Sequence, residues 1–223
     1  PTSDYELSFI EVREVGFAGM ALKTEDNDTV PMNNVYVHDN YIHDVGSEGL
    51  YIGSTQTAPQ HSFNNLHIEN NRILRTGTEA LQVGQLGDGC KINNNVFALA
   101  AIDWKDSFQA FQDSTSQMSV RYGESSIHDN VFIGAANTLI GFFGLESGDV
   151  HTPGDGMTIH DNFYSSFRSL GAFMGGDADG LSSYLIEQNV FRQFDFQRDE
   201  IYAGSVHPGH LIRVHATQTN PIT

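Results

Sequence analysis

The chain has 223 residues, with 11 Lys and Arg against 28 Asp and Glu, and a formal net charge of −17. This length suits one sizeable core, and we expect a single domain over residues 1–223 that belongs to a longer or processed chain. The negative charge disfavours nucleic acid and anionic membranes as partners. No stretch has the length and apolarity needed for membrane insertion.

The first predicted element is a coil over residues 5–22. It matches residues 35–52 at an offset of 30, with Leu7 at the position of Val37. The chain therefore starts inside a repeat.

The repeat is an apolar residue, an asparagine three residues later, and a second large apolar residue two residues after that. Spacings of 31, 24, 35, 32 and 27 residues between successive asparagines are too irregular for a leucine-rich repeat, whose period is about 20–29 residues. We expect the asparagines to stack in a structural ladder. They are Asn40, Asn71, Asn95, Asn130, Asn162 and Asn189.

Residues 35–53 show how one coil is built. An alternating strand precedes Asn40, a second strand follows it, and a third follows Gly49. Asp39 and Asn40 predict a tight corner, because asparagine tolerates the left-handed conformation. Gly46 and Gly49 allow the next corner. Three short strands per coil indicate an all-β parallel β-helix solenoid.

The run V-x-V-H-D-N-x-I-H-D-x-G-x-x-G-L-x-I resembles the coil of the right-handed parallel β-helix, pectate-lyase-like superfamily. The resemblance spans about residues 5–203 and leaves a tail at 204–223. It implies a single-stranded right-handed solenoid of about 7–8 coils. Most members with an assigned activity act on polysaccharides, and others are tailspikes or adhesins, so the resemblance implies the fold more strongly than the function.

Three exterior loops are predicted where extra residues follow a third strand. They cover residues 54–64, 143–156 and 175–183.

Acidic residues occur eight positions after three successive ladder asparagines, at Glu48, Glu79 and Asp103. Stacked coils lie about 4.8 Å apart, so such carboxyl groups would repel one another without compensation. Ca²⁺ bound by all three is one interpretation. A second is catalysis by a carboxyl pair about 5 Å apart, as in retaining glycosidases. A third is three exposed acids splayed into solvent.

Basic side chains are the remaining way to compensate this acidic row, and Arg75, Lys105 and Arg121 are the nearest in the predicted register. In superfamily members that cleave uronic polysaccharides, the groove commonly lies over the same face. Elimination there needs a base and cations. Arg121 and Lys105 are therefore candidate catalytic residues, and lyase and hydrolase chemistry both stay open.

The outward side of the third strand is predicted to carry Tyr51, Gln82 and Arg121. An insertion at 102–117 contains the only Trp of the chain, Trp104, and would form a wall beside this side. Aromatic faces stack on sugar rings, so Tyr51, Gln82 and Trp104 are candidate substrate-binding residues.

Two other features of the sequence give little indication of function. The only cysteine, Cys90, excludes an internal disulfide and is expected to be buried. A row two residues before the ladder includes His38, His128 and His160, and we expect it to be a solvated face rather than a metal site. No Ser/His/Asp set is recognised in the sequence.

These observations predict a secreted or cell-surface carbohydrate-active protein that binds and cleaves a polysaccharide on the third-strand face, with Ca²⁺ as the only cofactor suggested. The alternative is a non-catalytic structural or adhesive module. Exposed strand edges at the ends of a β-helix can pair with another copy, so such a module could stack end to end into filaments.

Overall fold

The computed structural model describes residues 2–23, 30–53, 61–101, 116–135, 138–143, 156–167, 170–175, 184–192 and 210–215. Within these ranges every regular element is a strand. In chain order the strands are β1 (Tyr5–Ser8), β2 (Glu11–Arg13), β3 (Met20–Leu22), β4 (Met32–His38), β5 (Tyr41–Val45), β6 (Leu50–Ile52), β7 (Phe63–Glu69), β8 (Arg72–Thr76), β9 (Leu81–Leu86), β10 (Lys91–Asn93), β11 (Val96–Ala100), β12 (Ser116–Gly123), β13 (Ser125–His128), β14 (Val131–Ala135), β15 (Thr138–Phe143), β16 (Met157–His160), β17 (Phe163–Phe167), β18 (Leu170–Gly175), β19 (Tyr184–Glu187), β20 (Val190–Arg192) and β21 (His210–His215).

The strands form three parallel columns, and each strand pairs with its equivalent in the next coil. The second column is a seven-stranded sheet that runs from β2 to β20. The first column, from β1 to β19, and the third, from β3 to β21, belong to one 14-stranded sheet that is joined where Phe63 pairs with Leu86. This arrangement confirms the predicted all-β parallel β-solenoid.

The core lies inside the coils and is filled by the apolar residues of the repeat. Val37, Ile68 and Ile127 in the first column have no exposed surface. In the second column, aromatic rings stack from coil to coil with centroids 4.5 to 5.0 Å apart. Each fully buried side chain of this size contributes about 1.5–3 kcal/mol of hydrophobic stabilisation. The stacked rings are Phe97, Phe132, Tyr164 and Phe191.

The predicted asparagine ladder is present and continuous. In the middle of it, Asn95 donates from its backbone nitrogen and from Nδ2 to Oδ1 of Asn130, at 2.9 and 3.0 Å. The same Nδ2 donates to the carbonyl of Ile68 in the preceding coil, at 2.8 Å. The ladder therefore satisfies backbone groups at every corner between the first and second columns.

The left-handed residue at this corner is the one before each ladder asparagine, and this corrects the expectation for Asn40 itself. Asp39 has φ 55°, and the equivalent residues in later coils have φ values from 54° to 57°. Asp and Asn tolerate this region better than most residues. The later residues are Asn70, Asn94, Asp129, Asp161 and Gln188.

Gly46 serves close packing between coils instead of an unusual backbone angle. A Cβ atom at Gly46 would lie 2.6 Å from the carbonyl oxygen of Gly16, and one at Gly77 would lie 2.2 Å from that of Gly46. The residue with positive φ near this corner is Asp44, at 56°.

Five predicted boundaries are wrong, three of them by one or two residues: β12 begins at Ser116, inside the insertion expected at 102–117, and Phe143 and Gly175, expected in the loops at 143–156 and 175–183, belong to β15 and β18. The loop expected at 54–64 ends earlier, because β7 begins at Phe63, a fully buried residue. The tail expected at 204–223 contains β21, which pairs with β18, so the third column continues to His215. No helix in the described ranges is long and apolar enough to cross a membrane.

Candidate functional site

The outward face of the third column begins with a row of residues in lateral register. Tyr51 of β6 pairs with Gln82 of β9, which pairs with Ser119 of β12. Nζ of Lys23 lies 4.4 Å from the centroid of the Tyr51 ring, in a cation–π contact. The predicted row of Tyr51 and Gln82 is therefore present, but one face of Tyr51 is covered by Lys23.

Glu48 and Glu79 occupy equivalent corners between the second and third columns, on adjacent coils. The backbone nitrogen of Gly49, next to Glu48, donates to the carbonyl of Glu79 at 2.9 Å. The two residues are only 6% and 9% exposed. Burial excludes the interpretation in which these acids splay into solvent.

A chain of buried hydroxyl groups leads to the first of these acids. Ser47 Oγ donates to Oε2 of Glu48 at 2.5 Å and lies 3.4 Å from Oγ1 of Thr78 in the next coil. Thr76 Oγ1 donates to the carbonyl of Thr78 at 2.7 Å. Ser47 and Thr78 are fully buried or nearly so, and this polar cluster fixes the orientation of the Glu48 carboxyl group.

Arg75 does not compensate the acidic row, contrary to one of the expectations. Its Nε and Nη2 donate to the two carboxylate oxygens of Asp44 at 2.6 and 2.7 Å, on the outward side of the second column. The hydrogen bonds from Arg75 hold the pKa of Asp44 well below its usual range.

The other predicted site residues are only partly described. Asp103, Trp104 and Lys105 lie outside the described residues. Arg121 belongs to β12 and pairs with Gly84 of β9 through its backbone, while its side chain also lies outside the described part. Among the described residues, no group of three or more His, Cys, Asp or Glu side chains could hold a metal ion. Ca²⁺ binding by the acidic row therefore stays a prediction that includes Asp103.

One constellation in the first column was missed by the sequence analysis. Nδ1 of His160 donates to Oδ2 of Asp161 at 2.8 Å, and Nε2 of the same ring lies 3.5 Å from Oγ of Ser126 in the preceding coil. The signal was present in the repeat, because Ser126 and His160 stand four and two residues before successive ladder asparagines.

A cleft of about 180 Å³ adjoins this constellation at the start of β13 and β16. Its lining includes Ser126, Thr158, Glu124 and Cys90. Cys90 is 4% exposed, as predicted for a buried cysteine, and burial raises the pKa of its thiol to about 11. The hydroxyl of Ser126 is therefore better placed than this thiol to act on a molecule in the cleft.

Fold and site together define a parallel β-solenoid with polar rows on its outer faces and two acids at one corner. Comparison with protein-family models, curated proteins and solved structures finds no match to this chain.

Proposed function

We propose that the protein is a secreted or cell-surface member of the pectate-lyase-like superfamily that cleaves a polysaccharide on its third-column face. The observation that carries this proposal is the pair Glu48 and Glu79, on adjacent coils at one corner. Equivalent atoms of stacked coils are about 4.8 Å apart. Retaining glycoside hydrolases use two carboxyl groups about 5–5.5 Å apart.

The hydrogen bonds assign a role to each acid. Glu48 accepts a hydrogen bond from Ser47, which suits a carboxylate that attacks the anomeric carbon. Glu79 would then protonate the leaving oxygen and later activate water. Low exposure of both residues supports these roles, because carboxyl groups shielded from bulk water interact more strongly with developing charge.

The substrate would lie along the row that begins with Tyr51 and Gln82. A sugar ring can stack on Tyr51 after Lys23 moves away from the ring, and Gln82 offers amide donors and acceptors to its hydroxyl groups. Trp104, Arg121 and Lys105 complete this groove in the proposal. In a metal-assisted version of the proposal, Glu48, Glu79 and Asp103 bind Ca²⁺, which takes several oxygen ligands.

The test is a panel of neutral and acidic polysaccharides, read by reducing ends and by the ultraviolet absorbance of unsaturated uronic products. We expect new reducing ends without unsaturated products. Glu48→Gln and Glu79→Gln should each lower the rate about a hundredfold or more. The matched control is Glu69→Gln, which changes an acid on the first column. Folded wild-type protein that releases no product from any polysaccharide would overturn the proposal.

End-to-end association is a second candidate function, supported by the first coil. Among the described residues, no strand pairs with the outer edges of β1, β2 and β3. A cleft of about 500 Å³ opens beside them, and its mixed lining includes the large apolar residues Tyr5, Leu7, Met20 and Leu22. Such edges can accept strands of another copy.

Size-exclusion chromatography with light scattering, followed by electron microscopy, tests this second candidate. Concentration-dependent oligomers or filaments are expected, and Leu7→Lys should shift them towards monomer because it puts a charge into the contact. Single particles at every concentration would contradict it.

A further inference from the structure

Three histidines of the first column share one local arrangement. In each, Nδ1 donates to the carboxylate of the next residue at 2.8 Å. A carboxylate can only accept, so this bond holds a proton on Nδ1, and in the neutral ring it leaves the lone pair on Nε2. The pairs are His38–Asp39, His128–Asp129 and His160–Asp161.

The histidines differ in the group that reaches Nε2 from the preceding coil. For His38 this group is the carboxylate of Glu6, at 3.0 Å. The hydrogen bond with Asp39 raises the pKa of His38, burial opposes this effect, and Glu6 reinforces it. A ring held between two carboxylates favours the imidazolium form, so His38 is suited to an ion pair and not to taking a proton.

At His160 the same position in the preceding coil holds a serine. Ser126 Oγ is 3.5 Å from Nε2, and Asp161 lies on the other side of the ring. A nucleophile next to a base that a third group orients is the arrangement of serine hydrolases, and such contacts are often long before substrate binds. His128 stacks on His160 with centroids 4.9 Å apart and the rings 7° from parallel, which restricts rotation of the His160 ring.

We propose that Ser126, His160 and Asp161 form a hydrolytic site for short-chain esters. Ser126 Oγ would attack the ester carbonyl while its proton passes to Nε2 of His160. The tetrahedral intermediate then expels the alcohol, which takes that proton. Water, deprotonated by His160, attacks the acyl-serine and releases the carboxylic acid, and the proton returns to Ser126.

The size of the cleft beside Ser126 selects the acyl group. This open cleft of about 180 Å³ can enclose an acetyl group or a similarly short chain, whereas most of a fatty-acyl chain would extend into solvent. The net charge of −17 disfavours anionic esters. A neutral alcohol esterified with a short acid is therefore the substrate class.

Two donors flank Ser126 in its own outward row and could stabilise the oxyanion. Lys91 pairs with Ser126 from the preceding coil, and Thr158 pairs with it from the following one. An ammonium group or a hydroxyl group one coil away is close enough to interact with charge that develops on the carbonyl oxygen.

The ester site does not depend on the polysaccharide proposal. It lies on the first column, whereas Glu48 and Glu79 lie at the corner of the third. Loss of one activity in a variant of the other site is not expected, so the two proposals can fail separately.

The test is hydrolysis of 4-nitrophenyl acetate, butyrate and octanoate by the full chain. Acetate should be hydrolysed fastest and octanoate slowest. Ser126→Ala and His160→Gln should each lower kcat/KM for the acetate about a hundredfold or more. His38→Gln is the matched control, because it removes an Asp-paired histidine whose Nε2 faces the carboxylate of Glu6 instead of a serine hydroxyl, and it should leave the rate unchanged. The same comparison is made between Asp161→Asn, which should lower the rate, and Asp39→Asn, which should not. The two positions are matched because both residues have a left-handed backbone, with φ 54° and 55°.

Covalent labelling separates a serine nucleophile from simple catalysis by surface histidines. Diisopropyl fluorophosphate should label wild-type protein once, on the peptide that contains Ser126, and should not label His160→Gln. Hydrolysis that persists in Ser126→Ala, a label on another peptide, or the absence of both hydrolysis and label would each overturn the proposal.

Discussion

Oδ1 of Asn130 accepts two hydrogen bonds from Asn95, one from the backbone nitrogen at 2.9 Å and one from the side-chain nitrogen at 3.0 Å. Both residues are almost completely buried. The same pair of bonds links successive ladder asparagines from Asn40 to Asn189. The ladder thus ties each coil to the next, and from Asn40 to Asn162 its side chains are almost inaccessible to water.

Asn95→Ala should destabilise the protein strongly. It removes the acceptor of the Asn71 backbone N–H and the side-chain donor to the carbonyl of Ile68, while Oδ1 of Asn130 keeps only its bond from the backbone nitrogen. Each unsatisfied buried group costs about 1–3 kcal/mol. We expect a loss of about 3 kcal/mol or more in the free energy of unfolding, measured by guanidinium denaturation. Asn189→Ala, at the half-buried end of the described ladder, should cost less than half as much. Equal effects would contradict a ladder that depends on burial.

Gly77→Ala should destabilise the corner beside the acidic pair, because its Cβ atom would lie 2.2 Å from the carbonyl oxygen of Gly46 and backbone cannot move aside easily. Overpacking of this kind costs about 1–3 kcal/mol. Gly16 is the equivalent residue of the first coil, and a Cβ atom there meets nothing within 4 Å. Thermal unfolding measures the stability of both variants, and Gly16→Ala should be close to neutral. A similar loss of stability in both variants would refute close packing as the reason for glycine at position 77.

The Arg75–Asp44 ion pair should contribute stability that depends on pH. Because the folded pKa of Asp44 lies below its ordinary value of 3.8, the contribution is complete above that pH and is lost as the pH falls towards the folded pKa. Arg75 is 38% exposed, so we expect about 1 kcal/mol or less.

Urea denaturation of wild type and Arg75→Gln at pH 7 and at pH 3 measures this contribution. The difference between the two proteins should shrink at the lower pH. A difference that stays constant or grows would show that the pair does not lower the pKa of Asp44.

Tyr164→Phe should raise the free energy of unfolding by about 1 kcal/mol. Tyr164 is fully buried in the aromatic stack of the second column, and its hydroxyl group has no hydrogen-bond partner in the described part of the chain. Removal of an unsatisfied buried polar group eliminates its desolvation penalty while the ring stack is retained. A lower melting temperature for Tyr164→Phe would indicate that the hydroxyl group has a partner.

The sequence was sufficient for the fold because the repeat itself carries the architecture. Asn71 and Asn95 mark equivalent corners, and the apolar residues around them alternate as strands require. The lateral register that brings Tyr51 beside Gln82 followed from the same spacing.

The site was less predictable, since side-chain direction and pairing are not fixed by spacing. Arg75 was considered as a partner for the acidic row, but it has a left-handed backbone, with φ 52°, like the equivalent Asp44 of the preceding coil, and its side chain binds Asp44 instead. The contact between Ser126 and His160 crosses diagonally between coils, whereas the sequence analysis compared equivalent positions only. Burial of Glu48 also depends on three-dimensional packing, which residue spacing does not show.

The stereochemistry of cleavage tests the proposed role of the acidic pair most directly. Proton NMR of the first product, from the polysaccharide that the panel identifies, reads the anomeric configuration before it equilibrates. Carboxyl groups at the coil spacing of about 4.8 Å leave no room for a water molecule between one of them and the sugar, so the proposal predicts a product that retains the configuration of the substrate. An inverted product, or an unsaturated one, would contradict hydrolysis by Glu48 and Glu79.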